Sequence, residues 1–209
     1  DSPSVLMFMG THCTYCGAVM QALTDLLKAG QLSDLRIINI ELHPEMAVER
    51  GVRSVPWLQI GPFELSGART KQEIEQWLQR ASSFDGLSEY LEELLLEGSI
   101  DTANKFVRVN PQALENVIEL MADAEAKINV RLGVGVLIED LAESEIFKTV
   151  TPRLLEYLSH EDARIRGDAC HYLSLTRDVS YIPEIKKLLD DDSAEVREIA
   201  EDSLEELAA

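Results

Sequence analysis

The sequence contains no apolar run close to the roughly 18 uninterrupted residues that a membrane-spanning helix needs. It also shows no secretory signal, because a basic n-region is missing and the apolar segment Val5–Met9 is too short for the core of such a signal. We therefore expect a cytoplasmic protein that does not bind membranes.

Basic residues are scarce. The chain has 19 Lys and Arg against 38 Asp and Glu, a net charge of −19, which argues against nucleic acid as a partner because phosphates need a basic surface. Through residue 83 the balance is seven basic against nine acidic residues, whereas the remainder carries 12 against 29. This shift predicts two segments, and the acidic one is either a charged, solubilising surface or a docking surface for a basic partner.

Cysteine is also rare. Three cysteines cannot form a disulfide scaffold in 209 residues. Cys13 and Cys16 are separated by two residues and Cys170 is remote, a usage that indicates redox chemistry or metal binding.

The pattern of apolar residues predicts an α/β segment over residues 1–82 with the element order βαβαββα. Apolar side chains recur at three- and four-residue steps in residues 16–27, which is a helix period, and Pro44 suits the first turn of a short helix. Thr70 and Glu73 have the spacing of a capping box at the start of the last helix. Strands are predicted at residues 4–9, 35–42, 56–60 and 63–66.

A repeat follows this segment. Residues 82–86, Ser-Ser-Phe-Asp-Gly, predict a linker, and the segment 86–209 shows no strand pattern. Comparing residue n with residue n + 31 aligns eight positions, and a period near 30 residues with two helical patterns per unit is typical of an α-solenoid. Six of the eight pairs are identities: Pro152 with Pro183, Leu154 with Ile185, Leu158 with Leu189, Ala163 with Ala194, Ile165 with Val196, Arg166 with Arg197, Ala169 with Ala200 and Leu173 with Leu204.

The repeated units resemble HEAT repeats. The shared features are a first helix that begins with Pro, an acidic turn such as residues 190–193, and Ile or Val followed by Arg, Ala and Leu. A weaker copy begins at Pro111, and residues 87–96 predict a further helix. The resemblance implies an all-α superhelical domain over 86–209, in which Arg166 and its equivalent contact neighbouring carbonyls or acids. Cys170 aligns with Glu201 of the next unit and is expected to be partly exposed.

The cysteine pair Cys13-Thr14-Tyr15-Cys16 directly follows a predicted strand and opens a predicted helix. A thiol at a helix N-terminus faces backbone donors and the positive end of the helix dipole, which lowers its pKa from ~8.5 to about 3.5–7.5. This context favours redox chemistry in which Cys13 attacks a disulfide and Cys16 resolves the mixed disulfide. Two alternatives are a structural pair without turnover and a zinc site, for which His12 and His43 are badly spaced.

Further motifs extend the pattern to a family. With the cysteine pair, the segments Asn39-Ile40-Glu41, Arg53-Ser54-Val55-Pro56 and Gly67-Ala68 make the first 80 residues resemble the thioredoxin superfamily, in the compact form of glutaredoxins and small archaeal-type thioredoxins. The resemblance implies a cis bond before Pro56 and a free main chain at Val55 that pairs with an extended substrate. The substrate-binding residues it implies are Thr14, Tyr15, Val55, Pro56 and Gly67.

The sequence departs from that family at positions linked to proton transfer. Met7 stands where thioredoxins have a buried aspartate, and Ile37 stands where they have its lysine partner. The usual proton relay is therefore absent, and His12 is a candidate modulator of the site. Residues 67–70 replace the segment with which glutaredoxins hold glutathione, so glutathione use is not expected.

These observations predict a thiol–disulfide oxidoreductase of the protein-disulfide reductase type. Its redox-active pair, Cys13 and Cys16, needs no cofactor and no metal, and its repeats bind or position a protein client that carries a disulfide or dithiol. The alternative is a protein-interaction adaptor in which the redox module is a scaffold or a slow redox sensor. The missing acid–lysine pair favours this alternative.

Overall fold

The computed structural model of the protein describes residues 2–83 and 86–208. The chain divides into two compact units, residues 1–86 and 87–209. Phe84 and Asp85, in the centre of the predicted linker, lie outside the described residues. The first unit contains a small mixed sheet with helices, and the described part of the second unit is helical throughout, which confirms the predicted fold class.

The sheet of the first unit has the strand order β2-β1-β3-β4. Strand β1 pairs parallel with β2 and antiparallel with β3, and β3 pairs antiparallel with β4. The predicted order βαβαββα is confirmed. The elements are β1 Val5–Met9, α1 Cys16–Lys28, β2 Leu35–Asn39, α2 Pro44–Glu49, β3 Trp57–Ile60, β4 Phe63–Ser66 and α3 Lys71–Ser83.

The capping box of α3 is confirmed. The backbone N–H of Glu73 donates to Thr70 Oγ1 at 3.2 Å, and the carboxylate of Glu73 accepts from the backbone N–H of Thr70 at 2.7 Å. This reciprocal pair satisfies donors that the first turn of a helix leaves free. Trp77, on the inner face of α3, packs edge-on against Phe63 of β4 with 5.0 Å between the ring centroids, as the predicted core position requires.

The other face of the sheet forms a second part of the core. Phe8 of β1 lies opposite Trp57 of β3, and the two rings stack with their centroids 5.0 Å apart. Ile38 of β2 completes the buried cluster, and Met46 of α2 and Val55 pack against it. This packing attaches α2 and the segment before β3 to the sheet, close to the point where β1 ends.

Strand β2 is shorter than predicted. The prediction ran to Leu42, but the strand ends at Asn39, whose carbonyl oxygen accepts from the backbone N–H groups of Leu42 and His43 at 3.2 and 3.1 Å. These bonds close a turn, and Leu42 is exposed. The apolar alternation of Ile40 and Leu42 indicated a longer strand, whereas the turn leads into α2 and places Glu41 beside the end of β1.

The second unit contains paired helices. The helices are α4 Leu87–Leu96, α5 Ile100–Val109, α6 Ala113–Ala122, α7 Ile128–Leu141, α8 Thr151–Tyr157, α9 Ala163–Ser174, α10 Ile182–Lys186 and α11 Ala194–Ala208, with 3-10 turns at Glu145–Thr149, Val179–Tyr181 and Lys187–Asp190. The predicted helix over residues 87–96 is confirmed, and the 31-residue shift superposes α8 on α10 and α9 on α11. Among the described residues, none of the helices is long and apolar enough to cross a bilayer.

The repeated arginines have the predicted structural role. Arg166 Nη1 donates to the carbonyl oxygens of His160 and Glu161 at 2.8 and 3.1 Å. Its equivalent, Arg197, donates from Nη1 to the equivalent carbonyls of Asp191 and Asp192 at 2.6 and 3.3 Å. Each arginine therefore holds the turn between the two helices of its own repeat.

The prediction for Cys170 is wrong. Its side chain is fully buried, and its Sγ donates to Ser203 Oγ of α11 at 3.6 Å. Burial raises the pKa of this thiol to about 11. The aligned residue Glu201 lies on α11, the last described helix, where no later helix covers it, and so its exposure was a poor guide to Cys170 on the enclosed α9.

Candidate redox site

The site is built around a disulfide. Cys13 and Cys16 are bonded to each other, and their Cα atoms lie 5.5 Å apart. Cys16 is the first residue of α1, whereas Cys13 lies in the turn that follows β1, where its backbone N–H donates to the carbonyl oxygen of Gly10 at 3.2 Å. The strand thus delivers the first cysteine, and the helix start holds the second.

The two sulfurs differ in accessibility. Cys16 is 0 % exposed, whereas Cys13 is partly exposed. Thr14 and Tyr15, between them, are exposed, and the Tyr15 side chain retains 63 % of its surface. A reagent or substrate in solution therefore reaches Cys13 and the two intervening side chains before it reaches Cys16.

The predicted substrate-binding residues lie along the same edge of the first unit. A Cβ placed on Gly10 would lie 3.4 Å from Val55 Cγ2 and 3.9 Å from Cys13 Cβ, so the Val55 side chain is a near neighbour of Cys13. The peptide bond between Val55 and Pro56 is cis. The carbonyl oxygen of Pro56 accepts from the backbone N–H of Gly67 at 2.9 Å, which connects the segment before β3 to the residue after β4.

Gly67 has a φ of +87°, in the left-handed region that side chains with a Cβ rarely adopt. No atom lies within 4 Å of the position that its Cβ would occupy. The backbone conformation, and not a lack of space, is therefore the reason for glycine here.

The turn before Cys13 is held by the turn after β2. Glu41 Oε1 accepts from the backbone N–H of Thr11 at 2.8 Å. Asn39 Nδ2 donates to Thr11 Oγ1 at 2.9 Å, and Asn39 Oδ1 accepts from the backbone N–H of Glu41 at 3.0 Å. The hydroxyl of Thr11 and the backbone N–H groups of Thr11 and His12 hold the pKa of the Glu41 carboxyl below its ordinary value of 4.5.

Gly10 is the position that permits this close approach. A Cβ on residue 10 would lie 3.1 Å from Glu41 Oε1, which is tighter than ordinary van der Waals contact. Asn39 and Glu41 were recognised in the sequence only as part of a family motif, and Gly10 and Thr11 were not singled out. The signal that could have identified them is their position: each group directly follows one of two adjacent parallel strands, whose carboxyl ends meet at one edge of a sheet.

The positions linked to proton transfer carry apolar side chains. Met7, in the middle of β1, is fully buried, and Ile37 on β2 is partly exposed. His12 is exposed in the loop before Cys13. His43 forms a contact of 3.3 Å with Glu45 and is not brought to the cysteines by that pair. In residues 2–83 and 86–208, no group of three or more His, Cys, Asp or Glu side chains is arranged to hold a metal ion.

The fold and the disulfide define a thioredoxin-like unit followed by a helical-repeat unit. Residues 4–79 match the family model of the thioredoxin domain, and residues 114–205 match the family model of HEAT repeats. The first unit is therefore a thioredoxin-like domain, and the second unit carries HEAT repeats. No curated protein matches the chain at a significant level.

Proposed function

We propose that the protein is a thiol–disulfide oxidoreductase that reduces disulfides in a protein client, and that its HEAT-repeat unit binds or positions that client. The observation that supports the proposal best is the asymmetric disulfide, in which Cys16 is buried at the start of α1 and Cys13 is partly exposed. Such an arrangement separates an attacking sulfur from a resolving sulfur.

The reaction starts from the reduced form. The Cys13 thiolate attacks one sulfur of the client disulfide, so that a Cys13–client bond forms and the client disulfide breaks, releasing one client thiolate. The Cys16 thiolate then attacks Cys13 Sγ, which re-forms the Cys13–Cys16 disulfide and releases the second client thiolate. The client gains two electrons, both released thiolates take up protons, and an external dithiol regenerates the reduced protein.

The edge formed by Tyr15, Val55, Pro56 and Gly67 is proposed to bind the client segment. Tyr15 offers a largely exposed aromatic ring, and the carbonyl oxygen of Pro56 is already bonded to Gly67, which leaves the main chain of Val55 to pair with an extended peptide. Backbone pairing of this type gives affinity with little dependence on the client sequence.

Reduction of the insulin disulfides by dithiothreitol tests the redox function. The wild-type protein at micromolar concentration is expected to accelerate the reaction severalfold or more over dithiothreitol alone. Cys13→Ser is expected to abolish this acceleration because the attacking sulfur is lost, and Cys170→Ser is a control because that thiol is buried. No acceleration by the wild type, or an equal acceleration by Cys13→Ser, would contradict the proposal.

A Cys16→Ser variant tests the order of the two steps. Without the resolving sulfur, the mixed disulfide between Cys13 and the client is expected to accumulate and to be released by reductant. The same trap in a cell extract identifies the client. Accumulation with Cys13→Ser instead of Cys16→Ser would reverse the assigned roles.

The adaptor alternative is favoured by one observation, the apolar and fully buried Met7 in the place of a buried acid. In that case the client would bind the HEAT-repeat unit, while the cysteine pair would exchange slowly or not at all. Thiol reactivity separates the two functions. A reduced Cys13 whose pKa is near the free value of ~8.5, together with no measurable exchange, would favour the adaptor.

One helix face supports a protein partner for the repeat unit. Ile128, Leu132 and Val136 follow one another at four-residue steps on α7 and are 62, 63 and 45 % exposed. Exposed Glu139, which lies on the same face one turn further on, adds a negative charge. From residue 87 onward the chain has 12 Lys and Arg against 28 Asp and Glu. This combination fits an amphipathic helix with an apolar face and basic flanks.

A further inference from the structure

We propose that Glu41 is a positioning residue of the redox site: it anchors the loop before Cys13 and places a fixed negative charge beside that sulfur, so that the thiolate forms less readily than the helix start alone would allow. The inference rests on the proposed function only for the role of Cys13 as the attacking sulfur. Its tests measure the loop and the thiol directly, without a client, and so the two proposals can fail separately.

The anchor is a small network between two loops. The carboxylate of Glu41 accepts from the backbone N–H of Thr11 at 2.8 Å, while Asn39 holds the Thr11 hydroxyl at 2.9 Å and the backbone N–H of Glu41 at 3.0 Å. Thr11 is two residues before Cys13, and Glu41 follows β2. Because β1 and β2 are hydrogen-bonded neighbours, the network connects the loop to the sheet at the residue pair next to the site.

The charge lies close to the sulfur. A Cβ on Gly10 would be 3.1 Å from Glu41 Oε1 and 3.9 Å from Cys13 Cβ, so these two atoms are at most about 7 Å apart, the sum of the two distances. This separation is shorter than the Debye length of about 8 Å at physiological ionic strength, so salt screens the interaction incompletely. The first turn of α1, which the structure describes completely, contains no acidic residue, so Glu41 brings this charge from a different element.

Glu41 also occupies donors that could otherwise face a thiolate. The backbone N–H groups of Thr11 and His12 both bond to its carboxylate. His12 is the other ionisable side chain that acts on Glu41, and His43, in the same turn as Glu41, is paired with Glu45. The loop thus gives its N–H groups to a permanent carboxylate, and stabilisation of the Cys13 thiolate is left mainly to the start of α1.

The charge is tested by Glu41→Gln in a Cys16→Ser background of the full-length protein. The side-chain oxygen of Gln can still accept from Thr11, but the negative charge is lost. The pKa of Cys13, measured from the pH dependence of iodoacetamide alkylation, is expected to fall by about 0.5 to 1. Alkylation at a pH below that pKa is expected to be about two- to threefold faster, since part of the gain in thiolate is offset by its lower nucleophilicity.

Asp25→Asn is the matched control. It removes the same charge but lies nine residues beyond Cys16 on α1, about 13 Å along the helix axis, and its bond from Gln21 can be kept by Asn. Cys170 does not interfere because its buried thiol has a pKa raised to about 11. An unchanged or raised Cys13 pKa in Glu41→Gln, or an equal fall in Asp25→Asn, would overturn the charge effect.

The anchor is tested by amide hydrogen exchange in Glu41→Ala. The amides of Thr11 and His12 are expected to be protected in the wild type and in Glu41→Gln and to exchange at least tenfold faster in Glu41→Ala. The exposed position of Glu41 makes a failure to fold a poor explanation of this result, and unchanged exchange in β1 checks it. Equal exchange of Thr11 and His12 in all three proteins would overturn the anchoring role.

Discussion

Arg166 pairs with two adjacent carboxylates, and the difference between them is decided by burial. Its Nη2 lies 2.8 Å from Asp191 Oδ1 and 2.6 Å from Asp192 Oδ1, but the Asp191 side chain is 7 % exposed and that of Asp192 is 90 % exposed. The bidentate bond from Arg166 lowers the pKa of Asp191 to about 2. Only the enclosed pair is shielded from water, so we expect it to carry most of the stabilisation.

Replacing each carboxylate by alanine tests this expectation. Asp191→Ala is expected to lower the free energy of unfolding of the repeat unit by about 1.5–3 kcal/mol, since a charged hydrogen bond and the bond to the Ser193 backbone N–H are lost. Asp192→Ala is the matched control and is expected to cost less than about 1 kcal/mol. Urea unfolding followed by far-UV circular dichroism measures both. Equal losses would contradict the role of burial.

The same pair predicts a dependence on pH. Because the folded pKa of Asp191 is about 2 and its ordinary value is 3.8, the pair stabilises the fold above pH 3.8 and this contribution is lost as the pH falls toward 2. The difference in unfolding free energy between the wild type and Asp191→Asn is therefore expected to be constant from pH 7 to 5 and to shrink below pH 4. A difference that grows on acidification would contradict the assignment.

Helix α1 shows how an element uses two glycines for different reasons. Gly17 lies within the first turn and Gly30 lies just beyond the C-terminus, and neither has an atom within 4 Å of the position of a Cβ. Gly30 has a φ of +74°, whereas no such value applies to Gly17. The end of α1 therefore needs glycine for its backbone conformation, and its start does not.

Alanine substitutions at these two glycines are expected to have opposite signs. Gly17→Ala should stabilise the first unit by about 1 kcal/mol through helix propensity. Gly30→Ala should destabilise it by about 1–2 kcal/mol because a left-handed backbone is costly for alanine. Tryptophan fluorescence during urea unfolding measures both, since Trp57 and Trp77 are buried in the first unit. Two changes of the same sign would contradict this reading of the helix ends.

At the scale of the whole molecule, the charge is concentrated in one unit. Of the 38 acidic residues, 28 lie from residue 87 onward, together with 12 of the 19 basic ones. A surface of this kind attracts basic partners at long range and repels nucleic acid, with a strength that falls as salt is added. The apolar face of α7 adds a contact that salt does not weaken in the same way.

A designed peptide helix separates these two contributions. A peptide with Leu at positions i, i+3, i+4 and i+7 and Lys elsewhere is expected to bind at low salt and to lose affinity by tenfold or more at 500 mM salt. Leu132→Ser should weaken binding by about tenfold through lost apolar burial. Val179→Ser removes an apolar side chain of similar exposure (60 %) outside α7 and is the control. Equal effects of the two substitutions, measured by fluorescence anisotropy, would exclude the α7 face.

The sequence alone determined the features that depend on spacing along the chain. The element order of the first unit, the capping box of Thr70 and Glu73, and the 31-residue repeat with its structural arginines were all predicted, because each is a local or periodic pattern. The end of β2 at Asn39 was not predicted, since the apolar alternation of Ile40 and Leu42 continues through the turn.

Only the tertiary structure decided which distant residues meet. Glu41 is 28 residues from Cys13, and its place beside the site follows from the pairing of β1 with β2 and from the turn that ends β2. Cys170 is buried because α9 is enclosed by neighbouring helices, whereas the aligned position on α11 is exposed. The physical reason is the same in both cases: contacts between elements depend on packing in three dimensions, and the periodicity of one segment does not record it.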